Sequence, residues 1–332
     1  MTRSFLKWAG GKHRVADALI EIVSNSPPFN IRWDVREGER YHEPMLGSGS
    51  MFFRLSGNDF FHTRRRAQLG DVNHILICAM TTISDKKNML AIIHQLTNFQ
   101  TEYPLDKPHP NPRGQEKSVR QKRMFYLKRN RLNELSKKIN FLSNDEKIEL
   151  TCLAIFLNKT CYNGLWRMNS KGEFNTPEGS YNYPKNICQE QVLMDCQVLL
   201  KKSSLHCRDW REGLREAKRG DLVYLDPPYM PLKVGDNVFT NYFTAGFSLD
   251  DQIELARMAA MAAKRGVRII ASNHDAKGNP NVRRIYNEAS KLAGIAKPEI
   301  VSIDVTRTIS CKGQGRVKVN EVLIFLANND GE

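Results

Sequence analysis

The sequence predicts an α/β fold in which a mainly helical insertion interrupts a sheet domain. Three observations carry this expectation. Residues 40–80 read as strand, glycine loop, helix and strand. Helical patterns dominate from about 74 to 193, and alternating strands and helices return from DLVYLD onward. At 332 residues the chain can bury one large core or two smaller ones. Segments 1–73 and 194–332 are expected to form one domain, with 74–193 as the inserted one.

The elements follow in order. Tyr41–Pro44 lead into GSGSMFFRL, where Gly47 and Gly49 make a tight turn before an apolar helix. A second strand near Gln68–Leu69 ends at Asp71, 24 residues beyond Gly47. A loop at the end of one strand and an acid at the end of the next make a Rossmann-like opening. In the insertion, Leu132, Leu135, Ile139 and Leu142 fall at helical spacing, and Ser143 with Glu146 forms a capping box for EKIELTCLAIFL. PLDKPHPNPRG, 104–114, reads as an exposed loop, and 160–185, rich in Gly, Asn and aromatics, as a loop or hairpin. DLVYLD is then a strand, Ser248 and Asp251 cap the helix DDQIELARMAAMAAKRG, and GVRIIASN is the next strand. EIVSIDVTRTI and NEVLIFLA read as a final antiparallel pair.

Composition narrows the function classes. No apolar run approaches the roughly 18–20 residues that span a bilayer. MTRSFLKWAGGKHRV lacks the apolar stretch of a secretory signal, so a cytoplasmic protein is expected. Seven irregularly spaced cysteines, with no C-x-x-C pair, point to reduced thiols rather than a disulfide framework or a zinc site. The formal charge of +14 favours a polyanionic partner. It is concentrated: between Asp106 and Lys138 stand 11 Lys/Arg against 3 Asp/Glu. A solvated helix face is the plainer explanation of a charge run, but an excess this large favours nucleic acid.

Two glycine motifs need separating. In EPMLGSGS the glycines allow close backbone approach to a ligand, and Asp71 can accept both hydroxyls of a ribose. A ligand-free tight turn is the lesser alternative for EPMLGSGS alone. WAGGK lacks the spacing of a phosphate loop, and His13 stands where a magnesium-binding Ser or Thr would be, which excludes a nucleotide triphosphatase.

DLVYLDPPYMP is more specific. Proline cannot donate to a sheet ladder, so the strand stops near Asp226. An exocyclic amino nitrogen on a base is a poor nucleophile because its lone pair is delocalised into the ring. Acceptors that take hydrogen bonds from the NH₂ group free that lone pair. Asp226 supplies one and the carbonyl of Pro227 another, while Pro227 and Pro228 hold both still. Tyr229 offers a ring for stacking, worth roughly 1–3 kcal/mol per base. A bare Pro-Pro strand terminator would need none of these groups.

FLKWAGGK, YHEPMLGSGSMFF, LGDVN, YNGLWRMNSKGEFNTP, YLDPPYMPL, FTNYFTAGFSLDDQ and SNHD follow one another in that order. Together they resemble the Dam-type (D12 class, alpha-group) DNA adenine N6-methyltransferases, from Phe5 to about Leu326 and least between 85 and 145. The resemblance implies a Rossmann-like methyltransferase sheet on 1–73 and 194–332, with 74–193 as a DNA target-recognition domain bearing a hairpin. It implies S-adenosylmethionine as methyl donor, no metal, double-stranded DNA as partner and no membrane. Oligomeric state stays open, a monomer being compatible. Trp8, Lys12, Asp71 and Asp226 would contact the donor, Glu43 and the Gly47–Gly49 loop would lie beside its methionine part, and Asp209 would fall near its adenine. The target adenine would flip out of the duplex into a pocket around Asp226, Pro227, Pro228 and Tyr229, at a cost of about a few kcal/mol. Phe239 and Tyr242 would lie on a closing loop, with a place as core aromatics an equal alternative.

Readout of a GATC site would come from the YNGLWR segment. Arg167 would grip a guanine, worth ~1–3 kcal/mol of discrimination. Tyr162 would wedge into the stack with Asn163 beside it, Leu165 and Pro177 would touch a thymine methyl, and Lys7 would reach an outer guanine. Met45 and Ser180 depart from the family pattern, and the basic 104–123 stretch is expected to add phosphate contacts. Two rivals remain: a methyltransferase acting on another amine, such as guanine N2 in RNA, and a catalytically silent DNA-binding relative.

Overall fold

The computed structural model describes residues 2–7, 12–56, 60, 67–103, 119–179, 186–229, 247–274, 282–306 and 318–328. The chain forms two compact units. One holds Lys12–Val72 and Lys202–Glu332, the other Thr2–Gly11 and Asn73–Lys201. The described strands are β1 (Tyr41–Glu43), β2 (Gln68–Asp71), β3 (Ser204–Cys207), β4 (Leu222–Leu225), β5 (Arg268–His274), β6 (Glu299–Thr306) and β7 (Lys318–Leu326). The helices are α1 (His13–Asn25), α2 (Ser50–Leu55), α3 (His74–Ser84), α4 (Met89–Glu102), α5 (Val119–Lys137), α6 (Asn144–Thr160), α7 (Glu190–Leu200), α8 (Trp210–Glu216), α9 (Leu249–Lys264) and α10 (Val282–Ala293).

All seven strands belong to the first unit and form one sheet in the order β3-β2-β1-β4-β5-β7-β6. β1 to β5 are parallel, and β7 runs antiparallel to both β5 and β6, so the final pair is antiparallel as its sequence predicts. β4 and β5 are buried at every residue, as covered parallel strands must be. Val223, Leu225, Ile269 and Ala271 pack with Ala256, Ala259, Ala260 and Ala263 of α9, whose small side chains bring the helix close to the sheet. A reciprocal Ser248–Asp251 capping box starts α9. The strand order reverses between β1 and β4, and such a switch point leaves a crevice at the carboxyl ends of the strands.

The second unit is helical. Its central helix is α6, started by the Ser143–Glu146 capping box and buried at every residue from Leu150 to Thr160. It packs against α3, α4 and α5. The Phe156 ring meets those of Phe99 and Tyr103 edge-on, at 5.7 and 5.4 Å between centroids. The helical spacing through Leu142 overruns the helix itself. α5 ends at Lys137, a single 3-10 turn covers Ile139–Phe141, and Leu142 turns extended to deliver Ser143 to its cap. Leu132, Leu135 and Leu142 are still buried, so the apolar spacing marks the core rather than the helix limit. The 104–114 loop, Ser180 and the Phe239–Tyr242 run lie outside the described residues. No helix among the described residues is long and apolar enough to cross a membrane.

Candidate active site and nucleic-acid interface

In the first unit the carboxyl ends of the parallel strands carry the predicted polar residues. Glu43 ends β1, Asp71 ends β2, and Asp226 follows β4. Between β1 and α2 the chain turns through Gly47 and Gly49, with φ of 50° and 69°, a region that only glycine enters without strain. Asp71 holds this loop, its Oδ2 accepting from the Gly47 backbone N–H at 2.8 Å. Leu46 N–H also donates to the Gly70 carbonyl at 2.8 Å. Glycine is needed again at 213, where a Cβ would stand 2.8 Å from Pro44 Cβ. The loop is thus fixed from two sides.

Glu43 is 2% exposed and accepts from the Tyr41 hydroxyl at 2.7 Å. Burial pushes its carboxyl up to about 8; the Tyr41 hydrogen bond opposes that rise, and the charges of Asp226 and Asp71 add to it. A buried acid that holds its proton this tightly is suited to meet a cation. An arriving ammonium would restore its charge. A glycine turn beside a buried acid can accommodate a ligand's cationic group. Asp209 sits just beyond β3 and caps α8, accepting from Arg211 N–H at 2.9 Å, with the Arg211 guanidinium 3.2 Å from its other oxygen. Trp8 lies outside the described residues.

The DPPY turn is held by groups from four other segments. Ser272 of β5 donates to Asp226 Oδ1 at 3.0 Å and itself pairs with the Tyr224 hydroxyl at 2.8 Å. Lys12 Nζ lies 3.2 Å from the same oxygen. Gln252 of α9 donates to the Pro228 carbonyl at 2.6 Å and accepts from Asn273 of β5 at 3.3 Å. Asn273 and His274 belong to the SNHD motif, and the His274 ring meets Tyr229 edge-on at 4.5 Å. Lys12 also hydrogen-bonds the Tyr229 hydroxyl and lies 3.9 Å from the ring centroid.

Burial raises the Asp226 carboxyl above the ordinary range; the Lys12 ammonium pulls it back and the charge of Glu321 raises it further. Burial and the two carboxylates likewise push the Tyr229 hydroxyl well up, so it stays protonated and donates to Glu321 at 3.0 Å. An acid with strong proton affinity, an aromatic face and fixed carbonyls can accept hydrogen bonds from a flat amine and steady a positive charge that forms there.

In the second unit Tyr162, Asn163, Leu165, Arg167 and Pro177 share one hairpin-like segment, and Lys7 comes from the start of the chain. Tyr162 N–H donates to the Pro177 carbonyl at 2.9 Å, and Asn175 N–H to the Arg167 carbonyl at 3.0 Å. The Asn169 side chain closes the tip by accepting from the backbone of Lys171 and Glu173 at 2.9 and 3.0 Å. Asn133 of α5 clamps Phe174 through both its N–H and its carbonyl, at 2.8 and 3.1 Å. Asn158 ties in Lys7, accepting from its N–H at 2.7 Å and donating to its carbonyl at 2.8 Å and to that of Gly164 at 3.3 Å. Asn163 takes φ 52°, which asparagine tolerates. Tyr162, Arg167 and Pro177 are exposed, and Leu165 is partly so. Arg167 is aligned by Asn175, whose Oδ1 accepts from Nε at 2.8 Å.

Three residues of the site have no role that the sequence discloses. Ser272 opens SNHD and Gln252 closes FTNYFTAGFSLDDQ, yet neither motif says what its serine or glutamine holds. Glu321 stands immediately before the apolar run of β7, and its charge at the head of VLIFLA is the one signal it leaves.

Residues 8–306 match the family model for D12 class N6 adenine-specific DNA methyltransferase. The chain is 34% identical over 331 residues to the type II methyltransferase M.MjaIII of Methanocaldococcus jannaschii, covering 97% of this chain and 98% of that protein. It is 33% identical over 322 residues to the DNA adenine methylase of Vibrio cholerae, covering 97% and 95%. The DNA adenine methylase of Escherichia coli is 29% identical over 321 residues, covering 97% and 94%.

Proposed function

The chain belongs to the D12 class N6 adenine-specific DNA methyltransferases, and on that premise we propose that it methylates adenine in GATC with S-adenosylmethionine as donor. S-adenosylmethionine supplies, when bound, an electrophilic methyl group on a positively charged sulfur. Glu43, the Gly47–Gly49 loop and Asp71 at the ends of β1 and β2 hold the donor, with Lys12, Asp209 and Trp8 as further contacts. Segments 1–73 and 194–332 act as the catalytic domain and 74–193 as the DNA-reading domain.

The target adenine leaves the duplex and enters the DPPY turn, at a cost of about a few kcal/mol for unstacking. Among the described residues, both partners of Asp226 reach Oδ1, which leaves Oδ2 to accept from the N6 amino group. The Pro227 carbonyl takes the second N–H. Pro228 keeps the turn rigid through its bond to Gln252, and Tyr229 packs against the base. Both acceptors localise the N6 lone pair, and Asp226 steadies the positive charge that appears on nitrogen. Arg167, Tyr162, Asn163, Leu165, Pro177 and Lys7 read and brace the duplex.

The observation that carries this reading is the fixed Asp226–Tyr229 turn, braced by Ser272, Gln252 and Lys12. Asp226→Ala is expected to abolish methyl transfer from radiolabelled donor to duplex DNA while keeping most DNA binding. Full activity in that variant would sink the mechanism. Transfer to structured RNA in preference to duplex DNA would instead favour the guanine-N2 alternative.

A further inference from the structure

We propose that Glu321 is a positioning residue for methyl transfer, its carboxylate fixing the Lys12 ammonium and the Tyr229 hydroxyl beside Asp226. The proposal rests on the DPPY turn being the methyl-transfer site. Its basis is the reversal of the last strands. Because β7 runs antiparallel to β5, its beginning lies at the carboxyl end of β5, and Glu321 pairs in register with His274. The reversal thereby delivers an acid to the catalytic edge from a strand whose remaining five residues, Val322–Leu326, are apolar and buried.

Glu321 is 2% exposed. Its Oε2 lies 3.4 Å from Lys12 Nζ and accepts from the Tyr229 hydroxyl at 3.0 Å. Burying a carboxylate beside an apolar strand is costly before pairing, and a buried pair seldom outperforms apolar residues of equal volume. Stability alone is therefore a poor reason for an acid at this position. Positioning is a better one.

Lys12 stands between two carboxylates, 3.2 Å from Asp226 and 3.4 Å from Glu321. Were Asp226 its sole anionic partner, the ammonium would cancel the charge of the acceptor that the target amine needs. Sharing it with Glu321 keeps acceptor strength on Asp226. The bond from the Tyr229 hydroxyl fixes the ring, which is hinged at the end of a turn and needs a second anchor to present its face reproducibly. Glu321 need not touch substrate to matter. It acts through Lys12 and Tyr229.

The test is a double-variant cycle read as single-turnover methyl transfer at saturating S-adenosylmethionine and duplex DNA. Glu321→Gln is expected to slow the step about 10- to 100-fold, as for loss of a charged hydrogen-bond partner, with the KM for DNA nearly unchanged. Glu321→Asp recovers part of the rate. Tyr229→Phe costs less in the Glu321→Gln background than in the wild type, because the two residues act together. A Glu321→Gln enzyme at wild-type speed would overturn the proposal, and so would losses that multiply in the double variant. Should Glu321→Gln fail to fold, the cycle is run with Glu321→Asp, where the same coupling is expected and independent losses again overturn it. An inactive wild type refutes the methyltransferase site itself, whereas an active wild type with an unaffected Glu321→Gln refutes only the role of Glu321.

Discussion

Replacing Glu43 with Gln removes a buried, strongly shifted acid from the candidate donor site. Its carboxyl moves from an ordinary 4.5 to about 8 in the folded protein, chiefly by burial. The folded state therefore holds this proton more tightly than the unfolded chain. Stability from this group is fully present below its unfolded value and is lost as pH rises through the folded one. The slope is about 1.4 kcal/mol per pH unit and halves at the folded value, so between about pH 6 and about pH 8 the loss comes to about 2 kcal/mol. Glu43→Gln lacks the titrating group and should lack this part of the slope. Asp226 is raised as well, so its own share of the slope has the same sign in both proteins, and the difference reports Glu43 together with its coupling to Asp226. Urea unfolding of donor-free wild type and variant over that range measures the quantity directly. The wild type is expected to lose ground steadily against the variant as pH rises. A difference that stays constant, or that favours the wild type at high pH, would refute the reasoning about Glu43.

Other perturbations follow from the same geometry. Gly213→Ala forces a Cβ to 2.8 Å from Pro44 Cβ and should cost about 1–3 kcal/mol by urea unfolding, with weaker donor binding by calorimetry as the loop after β1 shifts. Asn158→Ala removes the bonds to Lys7 and Gly164 and should destabilise the protein by about 2–4 kcal/mol. The same variant should lower affinity for duplex DNA in fluorescence anisotropy, since Lys7 loses its tether. Unchanged affinity would mean that Lys7 needs no such anchor.

The sequence exposes what is local. Two prolines end β4, so the DPPY turn can be read directly from the order of residues. The capping boxes at Ser143 and Ser248 are legible because a cap needs only residues three apart. The glycine loop and Asp71 show as a strand-end pair, since each closes a short apolar run. What hides is made by distance along the chain. Glu321 stands 309 residues from Lys12, and only the antiparallel register of β7 brings them together. Asn158 reaches Lys7 across 151 residues, so YNGLWR discloses the readers but not the bracket that sets one of them. Gln252 resembles any polar helix residue until β5 places Asn273 against it. The end of α5 is concealed because core spacing continues through a 3-10 turn, and periodicity alone cannot tell a helix from a helix followed by a buried leucine.

Base-resolution mapping of N6-methyladenine in plasmid from cells making the protein tests the central claim most directly. The expected result is N6-methyladenine at GATC and nowhere else, lost when Asp226 is replaced by Ala. Methylation confined to another sequence would contradict the assigned specificity while sparing the chemistry of the DPPY turn, and the absence of N6-methyladenine would contradict both.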